Sequence, residues 1–224
     1  MPARPPTSVD TAERILDIAS RLVQSRGFNG FSYADIAAEL QVTKASLHYH
    51  FATKAELGRR LIERYEADFL EALDAIDLES RSAFDRLQRY ARLYASVLSE
   101  SRMCLCGMLA AESGTLPEPM RAGLQHYFDA NEHWLARVLD DGRKAGELRF
   151  EGRPLAVAAM LVGALEGAMM LARSYGDSAR FDSAAQRLLA DLKAVPGART
   201  VARAAAKPAA AQRDAAVPSR RAGR

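Results

Sequence analysis

The residues best suited to chemistry are hydrogen-bond donors clustered between positions 43 and 54. The segment from Lys44 to His50 reads as one short helix. Its outward side chains are donors without an acid among them: Lys44, Ser46, His48, Tyr49 and His50. Such groups donate to phosphate oxygens, and the first turn of a helix can reach base edges in the DNA major groove. Lys54 adds a charge beside the N-terminus of the next helix, which favours phosphate. The segment therefore predicts contact with DNA.

Two cysteines, Cys104 and Cys106, carry the second possible chemistry. A thiol near a helix N-terminus and beside Arg102 should be more acidic and more nucleophilic than usual. The alternative is that both cysteines are small buried hydrophobic residues. A disulfide between them is not expected, because side chains two apart on a helix point about 200° apart. Two cysteines make no disulfide scaffold, and a reducing cytoplasmic location fits them better.

A helix, a tight turn and a second helix must position the donors between residues 31 and 57. Ser32 and Asp35 have the spacing of a capping box at the start of the first helix. The inner face of that helix is apolar: Ile36, Ala37 and Leu40. Gln41 and Val42 form the turn, and Thr43 can cap the second helix. The pattern predicts a helix-turn-helix, although a plain helical hairpin has the same spacing.

Helical periodicity continues through the rest of the chain and predicts an all-α protein of about nine helices. A long helix from Lys54 would link the DNA-binding head to the part that follows. The predicted organisation is a disordered N-terminus (1–8), a helix-turn-helix DNA-binding domain (9–70), a second helical domain (71–197), to which only a family resemblance given below assigns effector binding and dimerisation, and a disordered basic tail (198–224). Both ends lack apolar periodicity and are rich in Pro, or in Ala with basic residues.

The formal net charge of +3 is set by the tail. Residues 199–224 hold seven basic residues against one acid, so that segment carries +6 and residues 1–198 carry −3. Overall charge is therefore poor support for a DNA-binding fold. The tail itself is either a non-specific DNA tether or an inert extension.

The segment 154–172 contains one charge, Glu166, and has to be weighed as a membrane span. It is short for a span, rich in Ala and Gly, and interrupted by that glutamate. We therefore expect a buried interface helix and no membrane partner. Ala159, Gly163 and Gly167 are four apart, so they form a flat strip that another helix can approach closely. The N-terminus has no apolar run of the kind that a signal peptide requires.

Residues 9–60 resemble the TetR/AcrR-type transcriptional regulators. The shared positions are Thr11, Ile15, Leu16, Ala19, Leu22, Gly27, Phe28, Ile36, Ala37, Val42, Thr43, Lys44, Leu47, Tyr49, His50, Phe51, Lys54 and Leu57. The resemblance implies a three-helix DNA-binding head, followed by a helical domain that dimerises mostly through its last two helices and holds a small effector. It implies three partners: operator DNA, a second copy of the chain and an unknown small molecule. It implies neither a cofactor, a metal site nor an enzyme.

Carried over by position, the resemblance assigns Thr43, Lys44 and Ala45 to the major groove. It assigns phosphate contacts to Ser32, His48, Tyr49, His50 and Lys54, with Ser46 on the same donor face. Gln41 stands where the family usually has glycine, and a non-glycine residue in a left-handed turn costs about 1–2 kcal/mol. His48 stands where tyrosine is common, so its contact should depend on pH.

The second domain resembles a cysteine-containing, electrophile-responsive subgroup of the same family, through Cys104-Leu105 and a glutamate eight residues on, Glu112. The predicted pocket or sensor residues are Cys104, Cys106, Met108, Glu112, Tyr127, Trp134, Glu166 and Met170. Glu166 lies inside an apolar helix, so it must pair or face a cavity.

The function predicted from these residues is a repressor released from its operator by a small apolar or electrophilic effector. Two alternatives come from other classes of protein. A helical Cys-dependent peroxidase or transferase would need a base beside the thiol, and no histidine lies near Cys104 in sequence. A non-specific DNA-binding protein would depend on the tail 198–224.

Overall fold

A computed structural model describes residues 8–194 of the chain. These residues form nine α-helices and one short 3-10 turn, Ser113–Thr115, with no named strand among them. The helices are α1 (Ser8–Arg26), α2 (Tyr33–Leu40), α3 (Lys44–His50), α4 (Lys54–Glu79), α5 (Ala83–Ser99), α6 (Leu105–Ala111), α7 (Glu118–Lys144), α8 (Pro154–Tyr175) and α9 (Ala179–Leu192). The predicted all-α fold of about nine helices is confirmed.

The head consists of α1, α2, α3 and the first turns of α4. Ser32 and Asp35 form the predicted capping box at the start of α2, and Thr43 accepts a hydrogen bond from the backbone N–H of Ser46 at the start of α3. Gly27 ends α1 with φ +83°, a left-handed conformation that glycine adopts without strain. The core of the head is formed by fully buried side chains of all four helices: Ile15, Ala19, Ile36, Leu47 and Leu57.

The start of α1 differs from the expected domain boundary, and α6 is a short helix. The helix α1 begins at Ser8, so that residue does not belong to a disordered N-terminus. The helix α6 has seven residues, because Cys104 caps its start and Glu112 its end. The predicted boundary between residues 70 and 71 falls inside α4, so the head and the second part share this helix and the division stays a prediction. Residues 1–7 and the basic tail lie outside the described residues.

The helix α8 meets the length and composition that a membrane span requires, as core helices of soluble proteins also can. It packs on α7 and α9, and its inner face is buried at Ala158, Leu161, Leu165, Met169 and Ala172. Its opposite face exposes large apolar side chains: Met160, Met170 and Leu171. A helix with one packed face and one bare apolar face is typical of a protein interface.

Candidate DNA-binding face and ligand cavity

The helix α3 presents its donors to the surface, and we call these residues the recognition face. They are Thr43, Lys44, Ala45, His48 and Tyr49, which are exposed, with Ser46 and His50 partly exposed. Tyr49 is 80% exposed, an unusual value for so large an aromatic side chain. The helix contains no acid, and its buried Leu47 anchors it to the head.

Tyr33 and His48 brace α3 against the rest of the head. The buried Tyr33 hydroxyl donates to the Phe51 carbonyl at 2.8 Å, and burial, followed by the charge of Glu56, raises the pKa of Tyr33 to about 12. The His48 ring packs on the Tyr33 ring with 4.7 Å between centroids, and its Nδ1 lies 3.0 Å from the Ala52 carbonyl oxygen. Because a carbonyl only accepts, Nδ1 must carry a proton, and Nε2 is the nitrogen left for DNA.

Gln41 has the left-handed conformation expected of the turn, with φ 57° and ψ 41°. Its backbone N–H reaches the carbonyls of Ala37 and Ala38, so the turn closes α2 although the residue is not glycine.

The phosphate contact assigned to Lys54 from sequence needs correction. Its ammonium group donates to the carbonyls of Phe28, at 2.5 Å, and Phe31, and it lies 4.6 Å and 4.2 Å from the centroids of their rings. Burial lowers the pKa of Lys54, while Glu112 and Asp35 raise it. The ammonium is engaged within the head, so it does not point to the surface as a phosphate contact would.

The second part contains a cavity of about 190 Å³ between α4, α5, α7 and α8. Its walls are mostly aromatic and sulfur-containing side chains: Tyr65, Phe69, Tyr94, Cys104, Tyr127 and Met169. Of the predicted pocket residues, Cys104 and Tyr127 line this cavity. Tyr65 and Phe69 were not predicted as pocket residues, and their four-residue spacing on α4 was the one signal that could have indicated them.

The other predicted pocket residues lie elsewhere. The buried Trp134 indole donates to Asp77 of α4 at 3.0 Å. Met170 is 54% exposed, on the opposite face of α8 from Met169. Cys106 and Met108 pack in the core without lining the cavity, and Glu112 contacts the head.

The expectation that Cys104 carries an unusually acidic thiol is wrong. Cys104 is buried, its Sγ accepts the backbone N–H of Gly107 at 3.4 Å, and the Tyr65 hydroxyl lies 3.6 Å from it. Arg102 is engaged by Glu100 and by Gln24. Burial, followed by the neighbouring Glu166, raises the pKa of the Cys104 thiol far above its usual range. Burial likewise raises the pKa of Cys106, so both are thiols at neutral pH.

Glu166 lies beside Cys104, against the backbone of Gly107, where an added Cβ would collide with its carboxylate. Both carboxylate oxygens are buried without a hydrogen-bond partner among residues 8–194. Burial raises the pKa of Glu166 to about 7, and the Cys104 thiol opposes that rise. Glu166 is adjacent to the cavity wall but is not one of the lining residues, and it forms no ion pair among residues 8–194, so its part in the pocket stays a prediction.

The predicted dimer strip lies on the bare face of α8. Ala159 and Gly163 are exposed and Gly167 is partly exposed. A Cβ added at Gly163 or Gly167 would meet no described atom within 4 Å, so packing within this chain does not require glycine at either position.

Together, an exposed donor-rich helix in a helix-turn-helix head and a second helical part enclosing a cavity define a ligand-responsive DNA-binding regulator. Residues 15–61 match the family model for bacterial regulatory proteins of the tetR family. Residues 83–188 match the model for the tetracyclin repressor-like C-terminal domain.

Known proteins of the same size and fold agree with these matches. A TetR transcriptional regulator from Legionella pneumophila is 30% identical, aligns over 86% of this chain and 100% of its own, and has a TM-score of 0.76. A TetR-family regulator from Agrobacterium tumefaciens is 28% identical over 84% of this chain and 100% of its own, with a TM-score of 0.81. The transcriptional repressor NemR of Escherichia coli K12 is 28% identical over 174 residues, 75% of this chain and 86% of NemR.

The chain belongs to the TetR family of transcriptional regulators. The predicted family, the all-α fold and the DNA-binding function are thereby confirmed. Its relatives are transcription regulators, which excludes the alternative of a Cys-dependent enzyme.

Proposed function

We propose that this protein is a cytoplasmic homodimeric repressor that binds a near-palindromic operator and releases it when a small molecule occupies the cavity beside Cys104. The observation that carries the DNA-binding part is the recognition face, because six residues on or capping one short helix expose hydrogen-bond donors and the helix has no acid. Thr43, Lys44 and Ala45 would meet base edges. Ser46, His48, Tyr49 and His50 would hold phosphates, and Ser32 would do so from the start of α2.

The dimer follows from the geometry of DNA reading. One head reads one half-site, and two-fold symmetry supplies the second. The bare face of α8 supports this assembly, because Ala159, Gly163 and Gly167 would let the partner's helix approach closely while Met160 and Met170 flank the contact.

The volume of the cavity and its mostly apolar lining favour a small effector with few polar groups. A cavity of about 150 Å³ is known to hold benzene, so about 190 Å³ suits a single ring or a short branched chain. The polar groups that line the cavity are three tyrosine hydroxyls, the Cys104 thiol, the Ser96 hydroxyl and the Asp68 carboxylate, and the other lining residues are apolar. The raised thiol pKa favours a non-covalent occupant, while the position of Cys104 on the wall keeps a small electrophile as the second candidate.

The first test is fluorescence anisotropy with labelled DNA from upstream of the protein's own gene. Lys44→Ala should weaken binding about tenfold, within the 1–3 kcal/mol typical of a base contact. Lys144→Ala, at an exposed lysine in the last turn of α7, is the matched control and should bind as the wild type does. Equal binding by both variants would refute the assignment of the recognition face.

The effector is tested in the same assay with a panel of single-ring aromatic compounds and with iodoacetamide as a small electrophile. Release by iodoacetamide that is lost in Cys104→Ser would favour covalent sensing. Release by a ring compound in both proteins would favour simple occupancy of the cavity.

The tail is tested by deleting residues 198–224. Operator binding should survive with a shallower dependence on salt if the tail is only a tether. Complete loss of binding would instead favour the alternative of a non-specific protein driven by its tail.

A further inference from the structure

A carboxylate from the second part holds the loop between α1 and α2. Glu112, which ends α6, accepts the backbone N–H of Phe28 at 2.6 Å and that of Asn29 at 3.2 Å. The Asn29 side chain also donates to the Thr115 hydroxyl at 2.8 Å. The loop is shaped around this carboxylate, because a Cβ at Gly27 would lie 2.7 Å from Glu112 Oε1.

A guanidinium from the second part holds the C-terminus of α1. Arg173, in the last turn of α8, donates to the carbonyls of Gln24 at 2.8 Å and Ser25 at 2.5 Å. Carbonyls at the end of a helix lack partners within it, and the rigid fork of arginine can satisfy two at once. The backbone N–H of Met103 also donates to the Gln24 carbonyl, at 3.1 Å.

These two contacts complement each other in charge. The carboxylate takes the free N–H groups of the loop, and the guanidinium takes the free carbonyls of the preceding helix. Lys54 holds the carbonyls of Phe28 and Phe31 from the head's own side. The loop is therefore fixed between the head and the second part, and we call the contacts of Glu112 and Arg173 the α1 clamp.

We propose that Glu112 and Arg173 are positioning residues that fix the orientation of each head and thereby set which half-site spacing the dimer accepts. The inference rests on the proposed homodimer and its two-half-site operator. In a dimer joined through its second part, the distance between the two recognition faces depends on how rigidly each head is held. A clamp at the end of α1 removes rotation of the head about α4, the helix that both parts share.

The clamp is also attached to the walls of the cavity. Cys104 and Glu112 are the two end caps of the same short helix, about 12 Å apart at 1.5 Å per residue. Met169 and Arg173 are one turn apart on α8, and Met169 Sδ lies 3.4 Å from the backbone nitrogen of Cys104. An occupant of the cavity therefore acts on the same two helices that hold the head.

The test measures the affinity of the full-length protein for its footprinted operator and for the same operator with one base pair inserted between the half-sites, which separates them by about 3.4 Å more. We expect the wild type to prefer its natural spacing by about tenfold or more. In Glu112→Ala and in Arg173→Ala that preference should fall to about threefold or less. Glu112→Gln and Arg173→Lys keep one acceptor or donor and should retain part of it.

Two controls separate positioning from general damage. Glu118→Ala removes an exposed carboxylate of α7, and Arg143→Ala removes a guanidinium that donates to the Gly152 carbonyl away from the head. Both should keep the wild-type preference. A merely destabilised protein would lose affinity for both spacings by the same factor, so an unchanged ratio in both clamp variants would overturn the inference.

A second measurement does not depend on DNA. Spin labels at Ala38→Cys, an exposed position on α2, report the distance between the two heads of a dimer in a Cys104→Ser/Cys106→Ser background. Glu112→Ala and Arg173→Ala should broaden the distance distribution about twofold, and equal widths would overturn the clamp. If the wild type binds no operator, the proposed function fails and this measurement alone decides on the clamp.

Discussion

Replacing Glu166 by glutamine should change how the stability of this protein depends on pH. The carboxylate is buried without a hydrogen-bond partner among the described residues, and burial raises its pKa from 4.5 to about 7. A raised pKa in the fold means that the folded state binds the proton more tightly than the unfolded chain does. The stability this proton contributes is therefore fully present below pH 4.5 and is lost as the pH rises through 7.

The magnitude follows from the two pKa values. A difference of one in pKa corresponds to about 1.4 kcal/mol, so the full effect is about 3 kcal/mol. Between pH 5 and pH 8 the wild type should lose about 2.5 kcal/mol of unfolding free energy relative to Glu166→Gln, because glutamine does not titrate.

Urea unfolding at pH 5, 6, 7 and 8 measures this difference, at one protein concentration so that dimer dissociation contributes equally. The single tryptophan, Trp134, is 3% exposed and reports unfolding by fluorescence. Glu118→Gln, at a carboxylate 74% exposed, is the control and should follow the wild type. Parallel pH profiles for wild type and Glu166→Gln would refute the argument that Glu166 is buried without a partner.

Three further predictions follow from single positions. Gln41→Gly should raise the free energy of unfolding by about 1 kcal/mol, measured by urea titration, because the left-handed turn then carries no Cβ. Gly107→Ala should destabilise the fold by about 1–3 kcal/mol in the same assay through collision with the Glu166 carboxylate, whereas Gly114→Ala, where a Cβ meets no described atom, should have little effect. Gly163→Arg should leave the protomer folded by circular dichroism and yield a monomer by light scattering that no longer binds its operator; a stable dimer would move the interface away from α8.

Local features of this fold could be predicted from sequence because they depend on neighbours within a few residues. The capping box of Ser32 and Asp35 and the turn at Gln41 each follow from spacing alone. The environment of Cys104 could not be predicted in this way. Its sequence neighbour Arg102 points to Glu100 and Gln24, while the glutamate that raises the thiol pKa comes from α8, more than sixty residues later.

The family resemblance identified Glu112 as a pocket or sensor residue but could not predict where in the fold it lies. An eight-residue separation from Cys104 is compatible with a shared pocket only if the chain folds back, and a continuous helix instead carries the two residues to opposite ends. One end then meets the cavity and the other meets the head, so the same short helix is constrained at both ends by different parts of the molecule.

An occupant of the cavity that displaces the Cys104 end of α6 must either bend the seven residues of this helix or disturb the contacts of Glu112 with the head. Disturbing two hydrogen bonds to a charged group costs less than breaking a helix in the middle of the core, so the displacement should reach the head. Effector and operator binding would then be coupled through α6, and by linkage each must weaken the other by the same factor.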